Sequence, residues 1–410
     1  MDIQNFINRD QYTKKIEPYI GNNLIKVLVG QRRVGKSFIL YQIMDMIRKK
    51  EPSANIIYIN KEDYAFDSIK GYSDLISYVE TQKTRGENIS LFIDEIQDIH
   101  EFERALRHFQ TSNNYDIYCT GSNASLLSGE LATYLAGRYI QIRIFSLTYL
   151  EFLKFHNLSD DNESLNKYIM YGGMPHLMHL KDESRIYFEY LHNVFDSIVL
   201  RDIITRYKIR NVSFLIDLIR FLADNTGSIV SAKKISDYLK SQNINLLPKS
   251  VLEYLYYLES VFFVERVKRT EIAGRKIFEI GDKFYFEDLG MRHLLIPYQQ
   301  KDIQKVLENL VFHHLKTLGY NVYVGRLNDK EIDFVADNYE NNMYLQVAYM
   351  ISDEKTHERE FGNLLKIPDN CTKMVISMDV ITFTLYTIQI LELYLRLKLK
   401  KDLRICLKFY

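Results

Sequence analysis

Two short stretches carry residues whose types and spacing suit chemistry on a nucleotide. Gly30 to Ser37, GQRRVGKS, fits G-x-x-x-x-G-K-[ST]. Gly30 and Gly35 let the backbone curl so that the N–H groups of the loop (Gln31, Arg32, Arg33 and Val34 lie between the glycines) face phosphate oxygens. Lys36 can reach β- and γ-phosphates, and the Ser37 hydroxyl can ligate Mg²⁺. The helix that opens here and continues through Phe38 adds the positive end of its dipole. The second stretch, ISLFIDEIQDI, ends an apolar run in Asp94 and Glu95. Asp94 is placed to hold Mg²⁺, and Glu95 to polarise an attacking water. An acidic pair at this point argues for ATP hydrolysis with Mg, not for passive nucleotide binding.

These groups need a frame. Leu24 to Val29 is a short β-branched run before the loop, and a helical apolar pattern follows it through Ile47. NIIYIN (Asn55 to Asn60), YDIYCTGSN (Tyr115 to Asn123) and YIQIRIF (Tyr139 to Phe145) are further apolar runs, each preceded by a helical segment. Alternating β and α units imply a parallel sheet buried on both faces, with ligands at the C-terminal ends of its strands. TGSN ends the run that follows the Asp–Glu strand. Ser122 or Asn123 could orient the attacking water there; a turn built from small polar residues is the competing reading.

The remaining composition is that of a folded multidomain protein. The 410 residues are 47% hydrophobic and 26% charged, and 53 basic residues balance 53 acidic ones. No global basic field advertises nucleic acid, so any such surface must be local. Cys119, Cys371 and Cys406 match no metal or disulfide spacing and suit a reducing compartment. No apolar run reads as a signal peptide or a membrane span, and a cytoplasmic location without membrane contact is expected.

Taken together, IKVLVGQRRVGKS, LFIDEIQDI, TGSNASLLS, LAGRYIQIRIFSLTYLEF and YGGMP resemble the bacterial and archaeal AAA-type ATPases, related to signal-transducing P-loop ATPases, that carry a C-terminal domain of unknown function. The resemblance spans nearly the whole chain. It implies a five-stranded sheet with the TGSN strand inserted between the phosphate-loop and Asp–Glu strands. Arg138 in LAGR matches an arginine shared by that group. Near a γ-phosphate such a group is worth roughly 10³–10⁵ in rate. Whether it serves its own subunit or a neighbour's stays open, as does the alternative of a salt-bridged turn residue. For Arg32 and Arg33 an acidic partner in an adjacent domain is the favoured reading, over contact with nucleotide.

Four regions are expected: an ATPase domain to residue 150, a helical lid or linker over 151–207, a winged-helix-like domain over 208–282 and an α/β domain from 283 onward. In the third, NVSFLIDLIRFLADNTG, SAKKISDYLKSQ and LPKSVLEYLYYLESVFF read as helices, the second capped by Ser231. FFVERVKRTEI and KIFEIG read as a hairpin. The third helix would present Lys249, Glu253 and Tyr256, and the hairpin Lys268, Arg269, Arg275 and Lys276. Phosphate contact with DNA and contact with a protein partner both fit this pattern.

The last region resembles the PD-(D/E)xK nuclease fold, with Glu308 on a helix and Asp333 and Gln346 on strands. Such enzymes need carboxylates for Mg²⁺ and a lysine for water. Gln346 offers only a neutral oxygen and Ala348 stands where the lysine belongs; Lys316, Lys330 and Lys366 are candidates for a migrated one. The incomplete set favours a packing or recognition module over cleavage. Function then centres on an ATP-driven switch or motor acting on nucleic acid or protein, with an ATP-responsive DNA-binding regulator and an ATP-coupled nuclease as alternatives.

Overall fold

The computed structural model describes residues 6–83, 88–124, 135, 137–241, 244, 246–272, 274, 277, 281–338, 341–351, 354–378 and 406–408. The chain divides into two compact units. The N-terminal unit is Met1–Phe145 with Ser260–Phe262, and the C-terminal unit is Ser146–Glu259 with Phe263–Tyr410.

In the N-terminal unit, β1 (Ile25–Val29), β2 (Asn55–Asn60), β3 (Ile89–Asp94), β4 (Tyr115–Gly121) and β5 (Tyr139–Arg143) form one sheet in the order β2-β3-β4-β1-β5. Every pairing is parallel. β4 lies between β1 and β3, as the resemblance implied. All five residues of β1 are buried because helices cover both faces. Val27 and Val29 join one core with Leu91, Ile93, Leu106 and Phe109. Leu28 joins the other, with Ile39, Ile43, Phe92 and Tyr118. Helix Phe102–Thr111 buries Phe102, Ala105, Leu106 and Phe109, the i, i+3, i+4, i+7 stripe of a helix lying on a sheet. Stacking both faces leaves loops only at the strand ends, and the C-terminal ends carry the acidic and phosphate-loop residues.

The C-terminal unit groups segments that periodicity alone had separated. Leu147, Phe152, Leu165 and Tyr168 share one core with Tyr285, Leu310, Phe334 and Leu345. The helices Tyr149–His156 and Asn162–Tyr171 thus spend their apolar faces on the core of this unit. The expected lid, winged-helix and C-terminal regions thus fall within one compact unit, apart from Ser260–Phe262. Helix Ser184–Ser197 runs on into a π-helix, Ile198–Thr205.

Helices Val212–Asp224, Ala232–Ser241 and Pro248–Ser260 lie where expected. Asn211 Oδ1 accepts the Phe214 amide at 3.0 Å, and Ser231 Oγ accepts that of Lys234 at 3.2 Å, so the first two helices begin on a cap. One antiparallel bridge, Thr270 to Ile277, joins the two runs expected to form a hairpin, and each flanking strand has a further partner. β6 (Val264–Val267) pairs antiparallel with β8 (Lys283–Phe286), while β7 (Arg269–Glu271) runs parallel to β9 (Asn321–Leu327). Arg275 and Lys276 lie outside the described residues.

β7 and β9, with β10 (Lys330–Asp337), β11 (Asn342–Ala348), β12 (Thr372–Ser377) and β13 (Cys406–Lys408), build a six-stranded mixed sheet in the order β13-β12-β11-β10-β9-β7. Helix Ile303–Thr317 carries Glu308 and contributes Val306, Leu310 and Phe312 to the core shared with this sheet.

Candidate functional site

The phosphate loop leaves β1 at its C-terminal end. A Cβ on Gly30 would meet the Ile144 carbonyl oxygen at 2.1 Å, so only glycine lets the chain turn here. Gly35 has φ 95°, in the left-handed region, and precedes helix Lys36–Lys50. Lys36 is buried, and its Nζ donates to the carbonyls of Gly30 at 3.1 Å and Gln31 at 3.0 Å. The ammonium is thereby folded over the concave side of its own loop, 3.8 Å from Glu95 Oε1.

Asp94 and Glu95 sit where β3 ends. The Thr120 hydroxyl donates to Asp94 Oδ1 and accepts the Glu95 amide proton at 2.9 Å. Tyr58 donates to Asp94 Oδ2 at 3.2 Å. Burial pushes the Asp94 carboxyl above its ordinary range, while hydrogen bonds from Ser37 and Thr120 pull it down. Ser37 thus lies beside Asp94, the pairing of hydroxyl and carboxylate that suits Mg²⁺. Glu95 has φ 56°, and the Gln97 side-chain amide donates to its Oε2.

Lys36, Ser37, Asp94 and Glu95 are thus gathered at one end of the sheet. Asn123 is buried just beyond the end of β4, beside Ser122, whose hydroxyl is buried with no partner among the described residues. The Gln31 side-chain amide is likewise buried without a partner. Orphaned polar atoms within and beside a glycine-turned loop fit a polar ligand, which would satisfy them. Val34 is packed into the core, while Arg33 and Phe38 are exposed. Arg32 Nη1 bonds Glu62 Oε1 at 2.9 Å. The acidic partner preferred for it exists, but in the same unit and not in an adjacent domain.

Arg138 does not join this group within its own chain. Tyr139 pairs with Ile25, and the Arg138 carbonyl accepts the Ile25 amide at 3.1 Å. In a parallel pair this puts Arg138 at the N-terminal ends of the strands. The phosphate loop begins five residues further along, roughly 16 Å away at about 3.3 Å per residue. An arginine side chain does not span that distance, so the own-subunit reading fails on geometry.

Thr120, Gln97 and Tyr58 were not singled out from sequence. Gln97 sits two residues after Glu95 in DEIQ, and Thr120 opens TGSN, so motif adjacency was the available signal. Tyr58 carried none.

A second charged group lies in the C-terminal unit. Lys283 Nζ is 3.1 Å from Glu308 Oε2, 2.9 Å from Glu331 Oε1 and 3.9 Å from Asp333 Oδ1. Glu308 and Asp333 thus meet, as the nuclease resemblance implied, but around a lysine that sequence did not nominate. Gln346 Oε1 accepts the Asp333 amide at 2.7 Å, and its Nε2 donates to Glu360 Oε2 at 3.0 Å. Of the nominated lysines, Lys316 pairs with Glu265 at 2.9 Å, and Lys330 and Lys366 are exposed.

Residues 22–153 match a family described as an AAA domain, and residues 162–302 match a domain of unknown function. An uncharacterized protein of Haemophilus influenzae is 37% identical over 377 residues, covering 90% of this chain and 93% of that protein. An uncharacterized protein of Methanocaldococcus jannaschii is 30% identical over 392 residues, covering 92% and 85%. The Walker-type ATPase of Pyrococcus abyssi superposes with a TM-score of 0.51 at 15% identity, over 71% of this chain and 96% of its own. At that identity the likeness is one of fold. No helix among the described residues is long and apolar enough to cross a membrane.

Proposed function

We propose that this chain, which belongs to the AAA-domain family of the Haemophilus influenzae and Methanocaldococcus jannaschii proteins, binds ATP in the Gly30–Ser37 loop, hydrolyses it, and works as a conformational switch or motor on a partner. One observation carries the reading: Thr120 ties Asp94 and Glu95 together beside Lys36 and Ser37. When bound with the nucleotide through Ser37 and Asp94, Mg²⁺ would neutralise phosphate charge. Lys36 exchanges its two loop carbonyls for phosphate oxygens. Glu95, fixed at its amide by Thr120, orients the water, and Asn123 lies close enough in sequence to that strand end to assist.

Two variants test this. Lys36→Ala should abolish nucleotide binding. Glu95→Gln should retain ATP but lower turnover by about 10²-fold, the lower range for a removed general base. Full turnover by Glu95→Gln would remove Glu95 from that role.

The partner reading rests on the three-helix segment. Helix Pro248–Ser260 exposes Lys249, Leu252, Glu253 and Tyr256, and Lys268 is exposed nearby in sequence. Two basic charges and one acidic charge beside two large apolar residues suit a protein partner better than a phosphate backbone. ATPase rates with and without single- and double-stranded DNA decide between them. Stimulation that weakens when Lys268 and Arg269 are neutralised would favour nucleic acid; an unchanged rate favours protein.

A further inference from the structure

The carboxylates of Glu308, Glu331 and Asp333 converge on one point in the C-terminal unit, each within 4 Å of it. Three oxygens from three carboxylates is a donor set for a divalent cation. In a nuclease-shaped domain that is where Mg²⁺ would be sought. The point is taken by Lys283 Nζ, whose side chain is 2% exposed.

The fit to a metal fails on three counts. First, the ammonium sits at hydrogen-bond distance from Glu308 and Glu331, so a cation placed among the same oxygens would collide with it. Second, Asp333 and Gln346 are already committed. Asp333 Oδ2 accepts the Val347 amide at 2.8 Å, and both polar atoms of the Gln346 amide are used, on Asp333 and Glu360. Third, Tyr285 donates to Glu308 Oε2 at 3.2 Å, occupying the oxygen that also faces Lys283. Among the described residues no group of three His, Cys, Asp or Glu side chains is arranged to hold a metal ion. Burial opposes a charge on Lys283, but the carboxylates around it, Glu308 and Glu331 among them, outweigh it and raise its pKa, while burial and Glu308 push the Asp333 carboxyl up to about 8.

We propose that the ammonium of Lys283 occupies the place of a divalent metal among Glu308, Glu331 and Asp333, making this pocket a metal-free ionic core and not a cleavage centre. Lys283 lies on β8, paired with β6, while the carboxylates lie on helix Ile303–Thr317 and β10. The ion cluster therefore pins the short two-stranded sheet to the larger one from inside the same unit. A buried charge held by several partners is costly to lose on one side only.

The test uses the full chain without nucleotide, so that it stands or falls separately from the ATPase reading. Wild type in EDTA and in Mn²⁺ should melt at the same temperature and should leave supercoiled plasmid intact with Mn²⁺. Lys283→Met should lower the melting temperature by about 10 °C in EDTA, and Mn²⁺ at 100-fold its Kd should restore about 5 °C. Adding Asp333→Asn to Lys283→Met should remove that restoration. If Lys283→Met does not fold, the wild-type measurements decide alone. Mn²⁺ binding to wild type that Asp333→Asn abolishes, or plasmid nicking that it abolishes, would overturn the proposal.

Discussion

The hydroxyl of Thr120 accepts the amide proton of Glu95 at 2.9 Å while donating its own proton to Asp94. A single β4 side chain therefore anchors the Asp94 carboxylate and the Glu95 backbone at the end of β3. Glu95 also keeps a left-handed backbone, φ 56°, a conformation that costs energy outside glycine and asparagine. Thr120→Val keeps the shape and removes both hydrogen bonds. Turnover should fall by about 10- to 100-fold, matching the roughly 1.5–3 kcal/mol of a hydrogen bond to a charged group. Nucleotide affinity, measured by calorimetry, should change much less.

Gly30 has no room for a methyl group, since a Cβ would lie 2.1 Å from the Ile144 carbonyl oxygen. Gly30→Ala should displace the loop from β5 and lower both melting temperature and ATP affinity. Thermal unfolding with and without ATP checks this. An unchanged ATP-induced shift would show that the loop tolerates the move.

Arg138 lies at the far ends of the strands from the phosphate loop. Arg138→Ala should therefore leave ATP turnover unchanged in dilute protein. A loss that appears only as protein concentration rises would identify an arginine supplied to a neighbouring copy. A loss at every concentration, with the fold intact by circular dichroism, would contradict the strand geometry.

Asp288 gives the C-terminal unit a pH dependence. Its carboxylate accepts the Gly173 amide at 2.7 Å and the Met291 amide at 3.3 Å, yet burial outweighs these bonds and raises its pKa from 3.8 to about 6. A raised pKa means the folded state holds the proton more tightly than the unfolded chain. The stabilisation is then complete below about pH 4 and is lost as pH rises through 6. At about 1.4 kcal/mol per pH unit the window is worth about 3 kcal/mol. Melting temperature measured from pH 4 to 7 should decline across that range, and Asp288→Asn should flatten the decline.

Legibility from sequence followed locality. The phosphate loop was readable because its residues are contiguous and flanked by a strand and a helix that each announce themselves. β1, β3 and β4 were readable as unbroken apolar runs, and their order followed from the resemblance. Ser231 and Pro248 marked helix starts by short-range rules. They could not show that β6 also pairs with β8, since the choice of a second strand partner is a matter of non-local packing. A helical stripe at residues 151–171 likewise records that a face is buried, not what it is buried against.

What the sequence by itself determined is therefore which residues form the phosphate-loop pattern and the acidic strand end: Gly30, Lys36, Ser37, Asp94 and Glu95 stand in two short runs that meet at one end of the sheet. The tertiary structure decided which distant side chains complete or exclude a site. Arg138 is removed from the phosphate loop because a parallel register puts it at the opposite strand end. Lys283 is delivered to Glu308, Glu331 and Asp333 across at least 25 residues of chain. Side chains so far apart in sequence carry no shared periodicity, and only the cost of burying unpaired charge brings them together.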